Sequence, residues 1–195
     1  MILRGYQTGL VERAEKALKK YGNTLCMAAT GAGKTIMLSA LAGKVGGKTL
    51  IIQHRQELVT QNMCKFQRMN PGWHLSLFDA STKSWNGDAV FAMQQTLCRH
   101  TENMPAFDHV ITDEVHHIVS PTYRRIIDVA KERNPGMMLS GFTATPERAD
   151  KKTLRAYFDN VADRITIGEL VSLGFLVPPK AFIVDIGVRE QLDAI

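Results

Sequence analysis

Leu10, Val11, Ala14, Ala17, Leu18 and Tyr21 recur at spacings of three and four residues, which predicts an amphipathic helix from about Gln7 to Lys20. Gly22 and Asn23 supply its stop signal. Downstream the pattern changes to short, unbroken apolar runs: Thr24 to Met27, Thr49 to Ile52, Ser76 to Phe78, Ala89 to Ala92, His109 to Thr112 and Met137 to Phe142. Between them Lys34 to Gly43, Gln56 to Met69 and Pro121 to Arg133 carry helical patterning. Strands alternating with helices predict an α/β fold, a mainly parallel sheet with helices on both faces. The continuous apolar character of the runs agrees, because parallel strands are buried on both sides. After Pro146 the pattern loosens. Glu147 to Lys152 is dense in charge and reads as no strand, Leu170 to Pro179 turns apolar, and Ala181 to Val184 reads as one further strand before a last helical stretch.

At about 150 residues per domain, 195 residues suit one large domain. Apolar residues at 45%, charged residues at 22%, 15 Gly and 7 Pro are near globular averages and exclude disorder, collagen-like repeats and coiled coil as the main architecture. No apolar run approaches the roughly 20 residues of a bilayer span, and the first thirteen residues lack the layout of a secretory signal, so the expectation is a cytoplasmic chain with no membrane partner. Cys26, Cys64 and Cys98 are far apart and form no C-x-x-C, which reads as plain thiols. The balance of 24 Lys and Arg against 19 Asp and Glu, a net +5, permits a nucleic-acid partner without requiring one.

The strongest chemical signal is Ala28-Ala29-Thr30-Gly31-Ala32-Gly33-Lys34-Thr35, set after a predicted strand and opening a predicted helix. Backbone N–H groups and a helix N-terminus form an anion cradle in that context. Gly31 and Gly33 let the chain curl round phosphate oxygens, with Thr30 and Ala32 between and before them. Lys34 would reach the β and γ phosphates of ATP, and Thr35 would place its hydroxyl on Mg2+. Ala28 stands where the strict motif has Gly, giving an A-x-x-G-x-G-K-T variant. The second signal is Val110-Ile111-Thr112-Asp113-Glu114-Val115-His116-His117. Two carboxylates at the end of a buried strand are costly unless they serve a cation. Asp113 would hold Mg2+ and Glu114 would position or deprotonate the attacking water, which makes Lys34, Asp113 and Glu114 the candidate catalytic set. Adjacent His116 and His117 lack the spacing of a zinc helix.

These motifs, in this order, resemble the first RecA-like domain of superfamily 2 helicases of the DEAD/DEAH type. Ala28 to Thr35 looks like motif I, Asp113-Glu114-Val115-His116 like motif II, and Gly141-Phe142-Thr143-Ala144-Thr145-Pro146 like motif III. The resemblance implies a RecA-like P-loop NTPase fold and an ATP hydrolase that uses Mg2+. It also implies a coupling role for His116, Thr143 and Thr145 between ATP state and nucleic-acid grip. Leu3-Arg4-Gly5-Tyr6-Gln7 is similar to the family's adenine-reading segment, which makes Gln7 the candidate base reader with Arg4 and Tyr6 beside it. Gly174-Phe175-Leu176-Val177-Pro178-Pro179 resembles bacterial and phage helicases near the type III restriction subunit and DNA-repair branches.

Ile51 to Leu58 resembles motif Ia, a backbone-contacting segment, with Arg55 and Gln56 as candidate contacts. Met93-Gln94-Gln95-Thr96-Leu97 is similar to the next such motif and offers Gln95 and Thr96. Where RNA-acting DEAD-box members have Pro-Thr-Arg-Glu-Leu this chain has His54-Arg55-Gln56-Glu57-Leu58, which favours DNA over RNA. The resemblance further implies a partner, a second RecA-like domain carrying an arginine finger, in the same chain or another. The expected layout is a RecA-like domain over residues 1–180 and the start of a linker over 181–195. The leading expectation is therefore the N-terminal motor domain of an ATP-dependent helicase or translocase. Two alternatives stay open: another P-loop ATPase or kinase, and a nucleotide-binding interaction module without motor activity.

Overall fold

The computed structural model describes residues 1–115, 118, 120–144 and 154–178. The expectations placed on His116, His117, Thr145, residues 147–152 and everything from Pro179 onward lie outside that set. The first helix, α1 (Gly5–Tyr21), buries Leu10, Val11, Ala14 and Leu18 on one stripe, the faces that the three- and four-residue spacing brings together. Tyr21, assigned by its spacing to that stripe, is instead exposed at the last turn. Gly22 closes the helix in a left-handed conformation (φ 71°), its N–H bonded to the Leu18 carbonyl.

The chain then alternates: β1 (Asn23–Ala28), α2 (Lys34–Val45), β2 (Thr49–Gln53), α3 (Gln56–Met69), β3 (Leu75–Phe78), β4 (Ala89–Met93), a single turn α4 (Gln94–Leu97), β5 (His109–Asp113), α5 (Pro121–Arg133), β6 (Met138–Thr143), β7 (Val161–Ile165) and α6 (Ile167–Ser172). The seven strands form one sheet in the order β3-β4-β2-β5-β6-β1-β7, and every pairing between neighbours is parallel. The α/β expectation holds, with β7 and α6 added beyond what the hydrophobic pattern predicted.

Side chains alternate across each strand, so the central strands feed two cores. Ile51, Phe91, Ile111 and Phe142 face a core closed by α1, α2 and α3 through Leu10, Leu38, Leu41, Val59 and Phe66. Leu50, Ile52, Val90, Val110 and Leu139 face the opposite core, closed by Tyr123, Ile126 and Ile127 of α5 and by Phe107 and Phe158. Burial on both faces is why these strands read as unbroken apolar runs rather than alternating ones.

The parallel arrangement has one further effect. It brings the C-terminal ends of all seven strands to one edge, where open α/β sheets bind their ligands. Ala28, Gln53, Met93, Asp113, Thr143 and Ile165 therefore end beside one another.

Candidate active site

Residues 29–33 connect β1 to α2 in a tight loop shaped by its glycines. Gly31 (φ 86°) and Gly33 (φ 83°) both take the left-handed conformation that other residues adopt only under strain. Gly33 is also the N-cap of α2, and no side chain caps that helix end. The N-terminal amides of a twelve-residue helix consequently point into the loop, with Lys34 as its first residue and Thr35 as its second.

Gln7 ties α1 to this loop. Its buried amide donates to the Ala32 carbonyl at 2.9 Å and accepts from the Arg4 backbone N–H at 3.0 Å. A Cβ on Gly33 would lie 2.7 Å from the Gln7 nitrogen, so the approach needs glycine. The Tyr6 hydroxyl donates to the same carbonyl at 3.0 Å. Arg4 stays exposed and lies over the ring of Phe175, 4.6 Å from its centroid, while Tyr6 contacts that ring at 5.1 Å. Leu176 packs within 3.0 Å of where a Gly31 Cβ would stand. The adenine-segment candidates and the phosphate-loop candidates are thus one cluster, closed on one side by residues 175 and 176.

Asp113 ends β5 on the far side of β6 from β1, and Glu114 follows it. Glu114 has φ 59°, the one left-handed non-glycine among the described residues. Such backbone is costly for a carboxylate residue and gathers at functional sites. The conformation brings its carboxylate to 4.0 Å from the Lys34 ammonium. Asp113 is largely buried, and one of its oxygens, Oδ1, has no hydrogen-bond partner. Burial, and then the neighbouring Glu114 charge, push its carboxyl up to about 6, against the opposing pull of Lys34. A buried carboxylate oxygen without a hydrogen-bond partner, within electrostatic reach of Lys34, is a ligand that a hard divalent cation completes. The residues present therefore fit Mg2+, with Asp113 and Thr35 as the groups that would hold it.

Thr143 is buried at the end of β6, paired in register with Met27 of β1. Gly141, two residues earlier, is a spacer: a Cβ there would meet Phe158 at 2.6 Å and Val115 at 2.8 Å. Arg55 is exposed as the N-cap of α3, and Gln56, first in that helix, donates to Asp79 at 2.7 Å. Gln95 is exposed and Thr96 half-buried in α4. All four lie at the same sheet edge as the phosphate loop, beyond β2 and β4. Sequence reading missed Asn62, which accepts from Thr35, and Arg164 and Thr166, which line a cavity of about 410 Å³ beside Ala28, Ala29, Thr30 and Ala144. None of these positions belongs to a short contiguous motif.

Residues 1–148 match the family of the type III restriction enzyme res subunit. The chain belongs to that family. It is 29% identical to Saccharomyces cerevisiae IRC3, named as an ATP-dependent helicase, over 92% of this chain and 28% of that protein. It is also 30% identical to Haloarcula marismortui Rad25, named as a DNA 3'-5' helicase, over 75% of this chain and 23% of that protein. The chain thus spans about a quarter of the length of these relatives. Among solved structures, the type ISP restriction-modification enzyme LlaGI, in complex with a DNA substrate mimic, superposes with a TM-score of 0.69. At 18% identity that match covers 90% of this chain and 21% of LlaGI. The fold is therefore that of a RecA-like domain, and the family includes relatives named as ATP-dependent and DNA helicases. No helix among the described residues is long and apolar enough to cross a membrane.

Proposed function

We propose that the chain is the N-terminal motor domain of an ATP-dependent DNA helicase or translocase, binding Mg·ATP at the loop between β1 and α2 and nucleic-acid backbone along the ends of β2 and β4. The observation that carries this reading is the convergence of the Lys34 ammonium, the Glu114 carboxylate at 4.0 Å and the partnerless Asp113 oxygen at the N-terminus of α2. A fixed cation, a helix N-terminus and two carboxylates match a polyphosphate with its metal.

In this reading the α2 amides and Lys34 hold the β and γ phosphates. The Tyr6 and Gln7 cluster sits where the base enters, and Arg4 offers a cationic face for it. Mg2+, when held by Thr35 and Asp113, neutralises phosphate charge. Glu114, 4.0 Å from the ammonium that would hold the γ-phosphate, would orient and deprotonate the attacking water. Thr143, on the strand between β1 and β5, lies between the phosphate loop and Asp113, so a change at either carboxylate reaches it through one strand.

DNA is favoured by His54-Arg55-Gln56 in place of the Pro-Thr-Arg of RNA-acting relatives, and by the DNA named for Rad25 and LlaGI. Arg55, Gln56, Gln95 and Thr96 would touch phosphates rather than bases, a mode that positions a strand without reading its sequence. ATP turnover by the chain, alone and mixed with a second RecA-like domain, measured with and without single-stranded DNA, tests the proposal. Turnover raised by DNA supports a motor. Tight nucleotide binding with no turnover under either condition contradicts it and identifies a nucleotide-binding interaction module.

A further inference from the structure

The Thr35 hydroxyl does not stand alone beside the phosphate loop. It donates to the side-chain oxygen of Asn62 at 3.2 Å, and the Asn62 amide nitrogen donates to the side-chain oxygen of Gln53 at 2.7 Å. Asn62 is 4% exposed and Gln53 2%. Gln53 is the last residue of β2 and Asn62 lies in α3, so the chain of bonds runs from the second residue of α2 to the two elements joined through Arg55, the second of which begins with Gln56.

A hydroxyl has one proton and two lone pairs. With its proton given to Asn62, the Thr35 oxygen keeps its lone pairs for a cation. Were the Asn62 amide turned over, its nitrogen would face Thr35 and claim a lone pair instead. The Gln53 oxygen blocks that turn by accepting from the Asn62 nitrogen. The arrangement has a visible cost, because the Gln53 nitrogen is left buried without a partner. Turning the Gln53 amide to seek another partner for that nitrogen would put a donor against the Asn62 donor and release the orientation.

We infer that Asn62 is a positioning residue for the metal-binding hydroxyl: held by Gln53, it takes the Thr35 proton and aims the Thr35 oxygen at Mg2+, joining the metal position to the β2–α3 connection. The inference rests on the nucleotide reading above. Partners of this kind, which orient a ligand without touching the metal, typically contribute about 10- to 100-fold in metal affinity.

The test is the Mg2+ concentration that half-saturates binding of a fluorescent ADP, beside binding of the same ADP in EDTA, for the unmodified chain, Asn62→Leu and Asn62→Asp. Leu removes the acceptor. It should raise the half-saturating Mg2+ roughly 10- to 100-fold and leave ADP binding in EDTA unchanged. Asp keeps an acceptor for Thr35 and gives the idle Gln53 nitrogen a carboxylate to donate to, so its half-saturating Mg2+ should equal or fall below that of the unmodified chain. Equal Mg2+ requirement for Leu and the unmodified chain overturns the inference. So does a parallel loss of ADP binding in EDTA, which would mark a merely structural residue, or an Asp variant as impaired as Leu. If Asn62→Leu does not fold, Gln53→Leu takes its place: it removes the oxygen that holds the Asn62 amide in orientation, so it should raise the half-saturating Mg2+ and leave ADP binding in EDTA unchanged, and an unchanged Mg2+ requirement overturns the inference. If the unmodified chain binds no ADP under either condition, the nucleotide reading itself fails. Mg2+-dependent ADP binding unaffected by Asn62→Leu overturns this inference alone.

Discussion

Glu114 holds a left-handed backbone and a carboxylate 4.0 Å from Lys34, and its proposed role can be separated from binding. Glu114→Gln keeps shape and hydrogen bonding but cannot take up a proton, so nucleotide affinity should stay within a few-fold while ATP turnover falls by about 100-fold or more. Equal loss of both would make Glu114 structural. Gln7 carries a double prediction. Its amide braces the Ala32 carbonyl, so Gln7→Ala should weaken ATP and GTP together by loosening the loop, and ATP more by erasing base preference. A competition titration in which unmodified protein already binds ATP and GTP equally removes the base-reading half. The contiguous motifs were legible in the sequence because their chemistry lies within a few residues of itself. Asn62 was not: its meaning comes from Thr35, 27 positions earlier, and Gln53, nine positions earlier.

β7 and α6 show why the hydrophobic pattern stopped short. Val-Ala-Asp-Arg-Ile alternates little and is buried only at Ile165, because β7 is an edge strand paired only with β1. It therefore lacks the apolar run that revealed the six inner and opposite-edge strands. α6 is six residues long, too short for a periodic signal, and is set by a capping box in which Thr166 and Glu169 bond each other's backbone. By contrast β6 was legible, and its Gly141 carries an element-scale prediction. Gly141→Ala would drive a methyl into buried Phe158 and Val115, costing about 1–3 kcal/mol. The urea midpoint should fall accordingly. Val115 follows Glu114 directly, so turnover should fall as well. An unchanged midpoint would mean that the packing around β6 yields freely.

Acid stability is a property of the whole molecule and here it is governed by burial. His109, fully buried at the start of β5 with a 2.7 Å contact to Ser140 Oγ, is pushed down to about 3 by desolvation. A lowered histidine value means that the unfolded chain binds the proton first, so stability should fall as pH drops below about 6.5 and go on falling toward 3, by at most about 1.4 kcal/mol per pH unit. Asp113 acts oppositely below about 6, since its raised carboxyl takes up a proton more readily when folded. Urea unfolding at pH 7 and pH 5 separates the two: with His109 gone only the opposing Asp113 contribution remains, so His109→Gln should turn the loss of stability at pH 5 into a gain, and a difference equal to that of the unmodified chain would show that His109 is not protonated on unfolding. The fold class and the place of the glycine loop between β1 and α2 were both legible, whereas these buried titratable groups depend on which residues a closed sheet hides.

The central claim is that the sheet edge around Lys34 is a Mg·ATP site. Calorimetric titration of Mg·ATP into the unmodified chain and into Lys34→Ala tests it most directly, because Lys34 is the cation held at the N-terminus of α2 beside Glu114. The account predicts saturable binding of one nucleotide per chain, lost in Lys34→Ala since phosphate charge is then left uncompensated. Absence of binding in the unmodified chain, or equal affinity in the two proteins, would contradict it.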